Sequence, residues 1–215
     1  MKSVLFIGAN DMREFMQYIN KYNSGFFIEP IPNTFDVLVN NLSKCNQAHN
    51  TNYIPLNYLI TSVDDKEYKF NIYGENSKRR EVNNYGNNGA SSSIFEKGKH
   101  FNEWGDCDCN ISINLKSTRM STLIDKLSID IESYDVIIDV QGAELEVLKS
   151  FGDKLLLVNN ITTEISNVEY YKGGVLFNEL NAYLNSYGLF TKEYTNIINF
   201  KGKLHKDILY ERTKD

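Results

Sequence analysis

The sequence has few cysteines, no long apolar run and no excess of positive charge. Its 3 cysteines among 215 residues are an odd number, unlike the framework of a secreted disulfide scaffold, so we expect a reducing cytoplasm. The longest apolar run near the N-terminus covers 4–9, which is too short for a signal peptide or a membrane span. The net charge of −5 at pH 7 argues against a nucleic-acid-binding surface, which is basic.

Hydrophobic residues make up 41% and charged residues 24% of the chain, as in a globular protein, and the length suits one domain over 1–215. Apolar periodicity and turn residues predict alternating strands and helices. The predicted strands are 4–7, 26–28, 53–61, 68–73, 135–138, 160–165, 189–195 and 207–212, and the predicted helices are 12–22, 34–45, 120–127, 143–151 and 175–187.

This alternation predicts an α/β fold with a doubly wound, mostly parallel seven-stranded sheet that has helices on both faces. The last two predicted strands, 189–195 and 207–212, are separated by too few residues for a helical crossover. The last strand is therefore expected to be antiparallel.

An insert interrupts the alternation at about 63–118. Its central part, 74–112, is rich in Gly, Asn, Ser and charged residues and contains Trp104, Cys107 and Cys109. Long segments of this kind are usually functional, so we predict a folded flap over the ligand site. The two cysteines have no second Cys or His pair at zinc spacing, and no metal centre is predicted there.

Ligands of open α/β sheets bind at the carboxyl ends of the strands. Gly8 follows the first strand and precedes Asn10, and a glycine at this place lets the backbone approach a ligand closely. Glu29 follows Gly8 by 21 residues, and Pro30 and Pro32 end the second strand beside it. An acid at this spacing suits ribose hydroxyls. Nicotinamide enzymes share this pattern, so these residues alone leave the cofactor open.

Three stretches of the sequence resemble the FkbM family of methyltransferases. They are Gly-Ala-Asn at 8–10, Phe-Ile-Glu-Pro-Ile-Pro-Asn at 27–33 and Ile-Asp-Val-Gln-Gly-Ala-Glu-Leu-Glu-Val-Leu at 138–148, and shorter similarities occur at 91–93, 163–165 and 207–210. The resemblance covers 4–212 and implies a class I, Rossmann-like methyltransferase fold. It also implies S-adenosylmethionine as the methyl donor and, as the acceptor, a hydroxyl that is commonly on a sugar or a polyketide-like product.

The resemblance assigns cofactor contacts to residues at the ends of three strands. It implies that Gly8 and Asn10 line the methionine end of the cofactor and that Glu29 holds the ribose. Asp139 would lie beneath the sulfonium, and Gln141 of the same stretch is assigned to the cofactor with it.

The adenine end of the cofactor is assigned in the same way. The resemblance implies that Pro30, Ile31 and Asn33 border the adenine ring. Ser62 would lie near the adenine amino group.

A base is needed to take the proton of an acceptor hydroxyl. His205 and His100 lie in segments expected over the mouth of the site, and Asp139 and Glu164 lie at strand ends. We expect His205 ahead of His100, because the loop 196–206 joins antiparallel strands and must emerge at the cofactor end of the sheet. Neutral imidazole is a competent base near pH 7.

Three alternatives stay open. Asp139, Glu164 and Asn167 have the oxygen ligands of a magnesium site, although no metal is expected. The segment 11–13 replaces a glycine that is usual in the family and Phe6 replaces an acid, so the chain could be a degenerate cofactor-binding module. The acceptor could also be a polyketide-like molecule or RNA.

The sequence thus predicts an O-methyltransferase that acts on a sugar or nucleotide-linked sugar in surface-glycan synthesis, such as that of capsular polysaccharide. The expected partner is this small-molecule acceptor. Neither a nucleic acid nor a membrane is expected as a partner.

Overall fold

The computed structural model of the chain describes residues 2–74, 89–101, 111–194 and 204–213. The strands are β1 (Lys2–Ile7), β2 (Tyr22–Ile28), β3 (Asn52–Leu56), β4 (Leu59–Ile60), β5 (Glu67–Ile72), β6 (Ile111–Thr118), β7 (Tyr134–Ile138), β8 (Asn160–Ser166), β9 (Leu189–Tyr194) and β10 (His205–Arg212). The α-helices are α1 (Pro32–His49), α2 (Met120–Leu127), α3 (Glu144–Ser150) and α4 (Phe177–Ser186), and 3₁₀ helices occur at Arg13–Tyr18, Ile131–Ser133 and Gly152–Leu157.

Seven strands form the main sheet in the order β3-β2-β1-β7-β8-β10-β9. The pairs from β3 to β8 are parallel. β10 is antiparallel to both of its neighbours, β8 and β9. The structure confirms the predicted fold class, including the antiparallel last strand.

Buried side chains alternate between the two faces of the central strand β1. Leu5 and Ile7 belong to a core cluster that includes side chains of α2, α3 and α4. Val4 and Phe6 belong to a second cluster with side chains of α1 and the first 3₁₀ helix. A parallel strand covered on both faces is expected to be apolar throughout, and this explains the unbroken apolar run.

The predicted helix 12–22 is wrong in its second half. Met12 has a left-handed backbone (φ 78°), and the helix that follows is a 3₁₀ helix that ends at Tyr18. Tyr22 starts β2 and pairs with Lys2, and its hydroxyl donates a 2.9 Å hydrogen bond to Asp135. The backbone pairing and this buried partner place Tyr22 in the strand, although its spacing fits a helix face.

The predicted strand 53–61 is two strands. β3 ends at Leu56, and Asn57 then donates from its side chain to the backbone carbonyls of Glu29 (2.8 Å) and Pro30 (3.2 Å). β4 follows and pairs with β6 in a separate three-stranded sheet of order β4-β6-β5. The break at Asn57 thus ties the end of β2 to the start of the smaller sheet.

Two of the three strands of the smaller sheet, β5 and β6, lie in the predicted insert. β5 and β6 are antiparallel partners, and Asn71 of β5 pairs with Ser93. Trp104, Cys107 and Cys109 lie outside the described residues. The insert bounds of 63–118 and the single domain stay predictions. None of the described helices is long and apolar enough to span a membrane.

Candidate active site

Gly8 brings the ends of β1 and β7 into close contact. Its φ is +87°, and a Cβ at this position would lie 1.7 Å from the carbonyl oxygen of Asp139. The N–H groups of Gly8 and Ala9 both donate to the carbonyl of Ile28 at 2.9 Å, and the Asp139 N–H donates to that of Ile7 at 2.9 Å. The glycine predicted to let the backbone approach a ligand thus also joins three strand ends.

Glu29 has a buried carboxylate that the backbone fixes in place. Its Oε2 accepts a 3.0 Å hydrogen bond from the Asn10 N–H and its Oε1 a 2.8 Å bond from the Ile31 N–H. Only 3% of the residue is exposed. Burial raises its pKa to about 7, although both hydrogen bonds oppose the rise. A ligand with hydroxyl donors would favour the ionised form.

A cavity of about 780 Å³, here called the first cavity, lies at these strand ends. Seven residues that the resemblance assigns to the cofactor line it: Gly8, Asn10, Glu29, Pro30, Ile31, Asp139 and Gln141. The fold therefore brings most of the predicted cofactor residues together.

Two residues assigned to the cofactor are placed elsewhere. Asn33 lies in the first turn of α1, and Ser62 follows β4. Neither belongs to the described lining of the first cavity. The Ser62 hydroxyl donates to the carboxylate of Glu146 in α3. Both assignments stay predictions.

Apolar side chains complete the first cavity and were not recognised from the sequence as site residues. Tyr58, Leu59 and Ile60 come from the break after β3 and from β4, and Phe70 and Ile94 come from the insert. An apolar wall of this kind suits a flat ring. Ile94 lies in the predicted flap and the others lie in predicted strands, but a strand pattern does not distinguish a cavity wall from a core.

Gln141 joins the two carboxylates at the ends of β7 and β8. Its side-chain amide donates to Asp139 (2.7 Å) and to Glu164 (3.3 Å), and its Oε1 accepts from the Tyr171 hydroxyl (2.9 Å). Gln141 has a left-handed backbone (φ 57°), and Gly142 follows with φ +93°. A non-glycine residue in this region is unusual and often marks a site.

His205 and Glu164 form an ion pair at the ends of β10 and β8. Their Nε2 and Oε1 atoms are 2.5 Å apart, and the side chains are 16% and 21% exposed. Burial lowers the pKa of His205, but the hydrogen bond and the charge of Glu164, followed by the charges of Asp207 and Glu144, raise it above the ordinary value. His205, the predicted base, thus has its Nε2 atom paired with the Glu164 carboxylate.

Further acids surround this pair. Burial, followed by the charges of Glu164 and Glu14, raises the pKa of Asp139 well above its ordinary value. Burial also raises the pKa of Glu144 to about 7 and that of Asp207 to about 6. Glu14 lines the first cavity and was not predicted, because nothing in its local sequence separates it from a solvated helix acid.

The predicted catalytic residue His100 and Asn167, a ligand of the alternative magnesium site, are not in the described lining of the first cavity. His100 is beside Tyr170, with 6.5 Å between ring centroids. The Oδ1 of Asn167 accepts from the Leu204 N–H at 2.9 Å. Among the described residues, no group of three or more His, Cys, Asp or Glu side chains is placed to hold a metal ion.

A second cavity of about 360 Å³ adjoins the first at residues 141–143. Its described lining is Gly142, Glu144, Glu164, Ile165, Ser166, Val168, Glu169, Tyr170, Tyr171, Gly174, Val175 and His205. Glu164 and His205, two of the predicted catalytic residues, are therefore in the wall of this second cavity.

The model of the methyltransferase FkbM domain family matches residues 7–189 of the chain. The match covers most of the main sheet and both cavities up to the start of β9. No curated protein sequence matches the chain significantly.

Solved structures have a similar fold at low sequence identity. An uncharacterised protein from Listeria monocytogenes serotype 4b has a TM-score of 0.53 and 8% identity. M. capricolum TrmK in complex with S-adenosyl-homocysteine has a TM-score of 0.51 and 10% identity. A protein of the NADB-Rossmann superfamily from Streptococcus agalactiae has a TM-score of 0.50 and 10% identity. The similarity covers 99–100% of this chain but 63% of each solved chain.

Proposed function

This chain belongs to the FkbM methyltransferase family, and we propose that it uses S-adenosylmethionine to methylate a hydroxyl group of a sugar or nucleotide-linked sugar in glycan biosynthesis. The family match over 7–189 supports the methyl transfer. A solved protein of similar fold, TrmK, holds S-adenosyl-homocysteine, the product of this cofactor. The sugar acceptor rests on the family resemblance.

The buried carboxylate of Glu29 is the observation that carries the proposal. Both of its oxygens accept hydrogen bonds from backbone N–H groups. The residue also lines the first cavity at the end of β2. Charged acceptors of this kind bind hydroxyl donors strongly. The cavity also has the Gly8 backbone on one side and apolar side chains such as Ile60 and Phe70 on another. These groups suit the polar and the aromatic parts of S-adenosylmethionine.

The residues of this chain would bind and orient both reactants. S-adenosylmethionine supplies a methyl group on a sulfonium, from which an oxygen nucleophile can take it. Glu29 would fix the ribose, and Asp139 would face the charged end of the cofactor. Alignment of the acceptor oxygen with this end is a positioning task, which alone can lower a barrier by several kcal/mol.

The pair of Glu164 and His205 is the proposed acceptor of the hydroxyl proton. Because Nε2 of His205 is already paired with the Glu164 carboxylate, Glu164 would accept the proton of the acceptor hydroxyl. Neutral His205 would leave the pair with a net negative charge that favours this transfer. Glu164 also contacts Gln141, which lines the first cavity, so the pair is one side chain away from the proposed cofactor.

Calorimetry with S-adenosylhomocysteine tests the cofactor assignment. Glu29→Gln removes the charge at nearly constant volume and should weaken binding by about 1.5–3 kcal/mol, as for a hydrogen bond to a charged group. Glu179→Gln, on the exposed side of α4, serves as the control and should bind as the unaltered chain does. Equal affinity of a folded Glu29→Gln variant would remove Glu29 from the cofactor site. Binding without turnover on any sugar would favour the degenerate cofactor-binding module.

A further inference from the structure

The second cavity adjoins the proposed cofactor site. Gly142 lines the second cavity, while its neighbours Gln141 and Ala143 line the first. Tyr171 of the second cavity contacts the lining of the first, because its hydroxyl donates to Gln141 Oε1 at 2.9 Å, and it also lies 2.8 Å from the carbonyl of Ser91. The two cavities thus share one short stretch of backbone after β7.

The Tyr171 side of the second cavity is closely packed. A Cβ at Gly142 would lie 3.0 Å from the Tyr171 ring, and the Val175 N–H donates to the Gly142 carbonyl at 3.1 Å. The ring of Tyr171 also packs edge-on against that of Phe101, with centroids 5.2 Å apart. The cavity is therefore a preformed feature of the fold and has a rigid aromatic side.

The charges around the second cavity have one sign. Glu144, Glu164 and Glu169 line it, and the only cationic group in the described lining is His205, which is paired with Glu164. Asp207 lies close enough to raise the pKa of His205. No lysine or arginine is part of the lining that the structure describes. A phosphate or carboxylate placed there would meet carboxylates instead of the cations that bind anions.

The polar groups of the lining suit a ligand that donates hydrogen bonds. Carboxylates only accept them when ionised, and the side chains of Glu164 and Glu169 are partly open to solvent. Tyr170 adds an aromatic ring that stacks edge-on with His205, with centroids 5.2 Å apart. Aromatic faces beside carboxylates favour a ring with hydroxyl or ammonium groups.

We infer that the second cavity binds the acceptor, and that the acceptor group seated there is a polyhydroxylated ring without phosphate or carboxylate, either neutral or carrying an amine. This rests on the proposed function, because the proposed base pair Glu164–His205 is in the wall of the cavity. It narrows the acceptor class, since a sugar phosphate or an RNA backbone would not be seated in this place.

Binding of sugar probes to the full chain saturated with S-adenosylhomocysteine tests the inference. The probes are three forms each of glucose, galactose and mannose: the methyl glycoside, the 2-amino-2-deoxy methyl glycoside and the 6-phosphate. Their binding is measured by saturation-transfer NMR and calorimetry. At least one neutral or amino form should bind, and its 6-phosphate form should bind at least about tenfold more weakly. If no neutral or amino form binds, or if the phosphate forms bind as tightly, the inference is wrong.

A charge reversal in the lining of the second cavity tests whether the sugar probes bind there and not elsewhere on the surface. Glu169 lies in the lining, and its carboxylate accepts from the Gly173 N–H at 3.2 Å in an exposed loop. Glu169→Lys should weaken binding of the amino form and strengthen that of the phosphate form, each by about fivefold or more. Glu179→Lys makes the same change of charge on the exposed side of α4. It should change the binding of neither the amino form nor the phosphate form. Equal effects of both substitutions would overturn the assignment.

The same samples keep the two proposals distinguishable. Calorimetric titration with S-adenosylhomocysteine reports the first cavity, and Glu169→Lys should leave that affinity unchanged. Failure of the cofactor to bind the unaltered chain would contradict the proposed function. Normal cofactor binding with unselective sugar binding would contradict only the inference about the second cavity.

Discussion

The pair of His205 and Glu164 is the part of the site in which a single proton matters most. At low pH the imidazole is charged and neutralises the carboxylate, which makes the pair a weak base. When the imidazole loses its proton, the pair has a net negative charge and can accept the proton of a hydroxyl. Because Glu164 raises the pKa of His205 above its ordinary value, this change takes place above about pH 6.5.

Replacement of His205 tests this assignment through the pH profile as well as the rate. We expect kcat of the unaltered chain to rise with pH through the raised pKa of His205. His205→Asn should lower kcat by about 10- to 100-fold and remove the limb of the pH profile that reports the imidazole. His49→Asn, at the exposed end of α1, is the control. If the acidic limb of the pH profile is unchanged in His205→Asn, or if His100→Asn loses a similar part of kcat, His205 is not the base.

Residue identity predicted some of these contacts and could not predict others. Gly8 and Glu29 were found because a glycine and an acid after successive strands have a known physical use. Glu14 and Tyr171 were missed, since their roles come from neighbours that are distant in the sequence. The contact of Tyr171 with Gln141 joins positions 30 residues apart, and no local pattern indicates such a contact.

At the scale of elements, the sequence predicted the alternation well and the boundaries less well. The buried parallel strands β1 and β7 contain the apolar runs 4–7 and 136–138, so they were found. The division between β3 and β4 was missed because the apolar pattern continues across it, while the actual break depends on the side chain of Asn57 bonding to the end of β2. The antiparallel β10 was predicted because connection length limits topology.

The close approach of β1 and β7 predicts a large effect for a small substitution at Gly8. Gly8→Ala would place a Cβ 1.7 Å from the Asp139 carbonyl oxygen in addition to its strained φ. We expect a loss of about 3 kcal/mol or more in the free energy of unfolding, together with weaker binding of S-adenosylhomocysteine, both measurable by denaturant titration and calorimetry.

Gly173 supplies the matched control for this substitution. Its φ is +76°, close to that of Gly8, but a Cβ there would meet no atom within 4 Å. Gly173→Ala should therefore show only the backbone strain, about 1–2 kcal/mol. If the two variants lose the same stability, the contact with Asp139 is not what requires glycine at position 8.

For the whole molecule, the buried acids predict how stability depends on pH. Burial raises the pKa of Glu29 and of Glu144 from 4.5 to about 7 and that of Asp207 from 3.8 to about 6. Between these ordinary and raised values, the folded chain binds more protons than the unfolded chain does. The free energy of unfolding must then fall as the pH rises. The raised pKa of His205 acts in the same direction.

The last prediction is that the unaltered chain, without cofactor, is more stable at pH 5.5 than at pH 8. Glu29 alone should account for a difference on the order of 2 kcal/mol, because each unit of pKa shift is worth about 1.4 kcal/mol. Glu29→Gln cannot ionise, so its unfolding free energy from urea titration should vary less with pH by this amount, while Glu179→Gln should follow the unaltered chain. At pH 8, S-adenosylhomocysteine should restore part of the lost free energy of unfolding, since its ribose hydroxyls favour the ionised form of Glu29. The same slope in all three proteins would show that Glu29 is not the buried acid responsible.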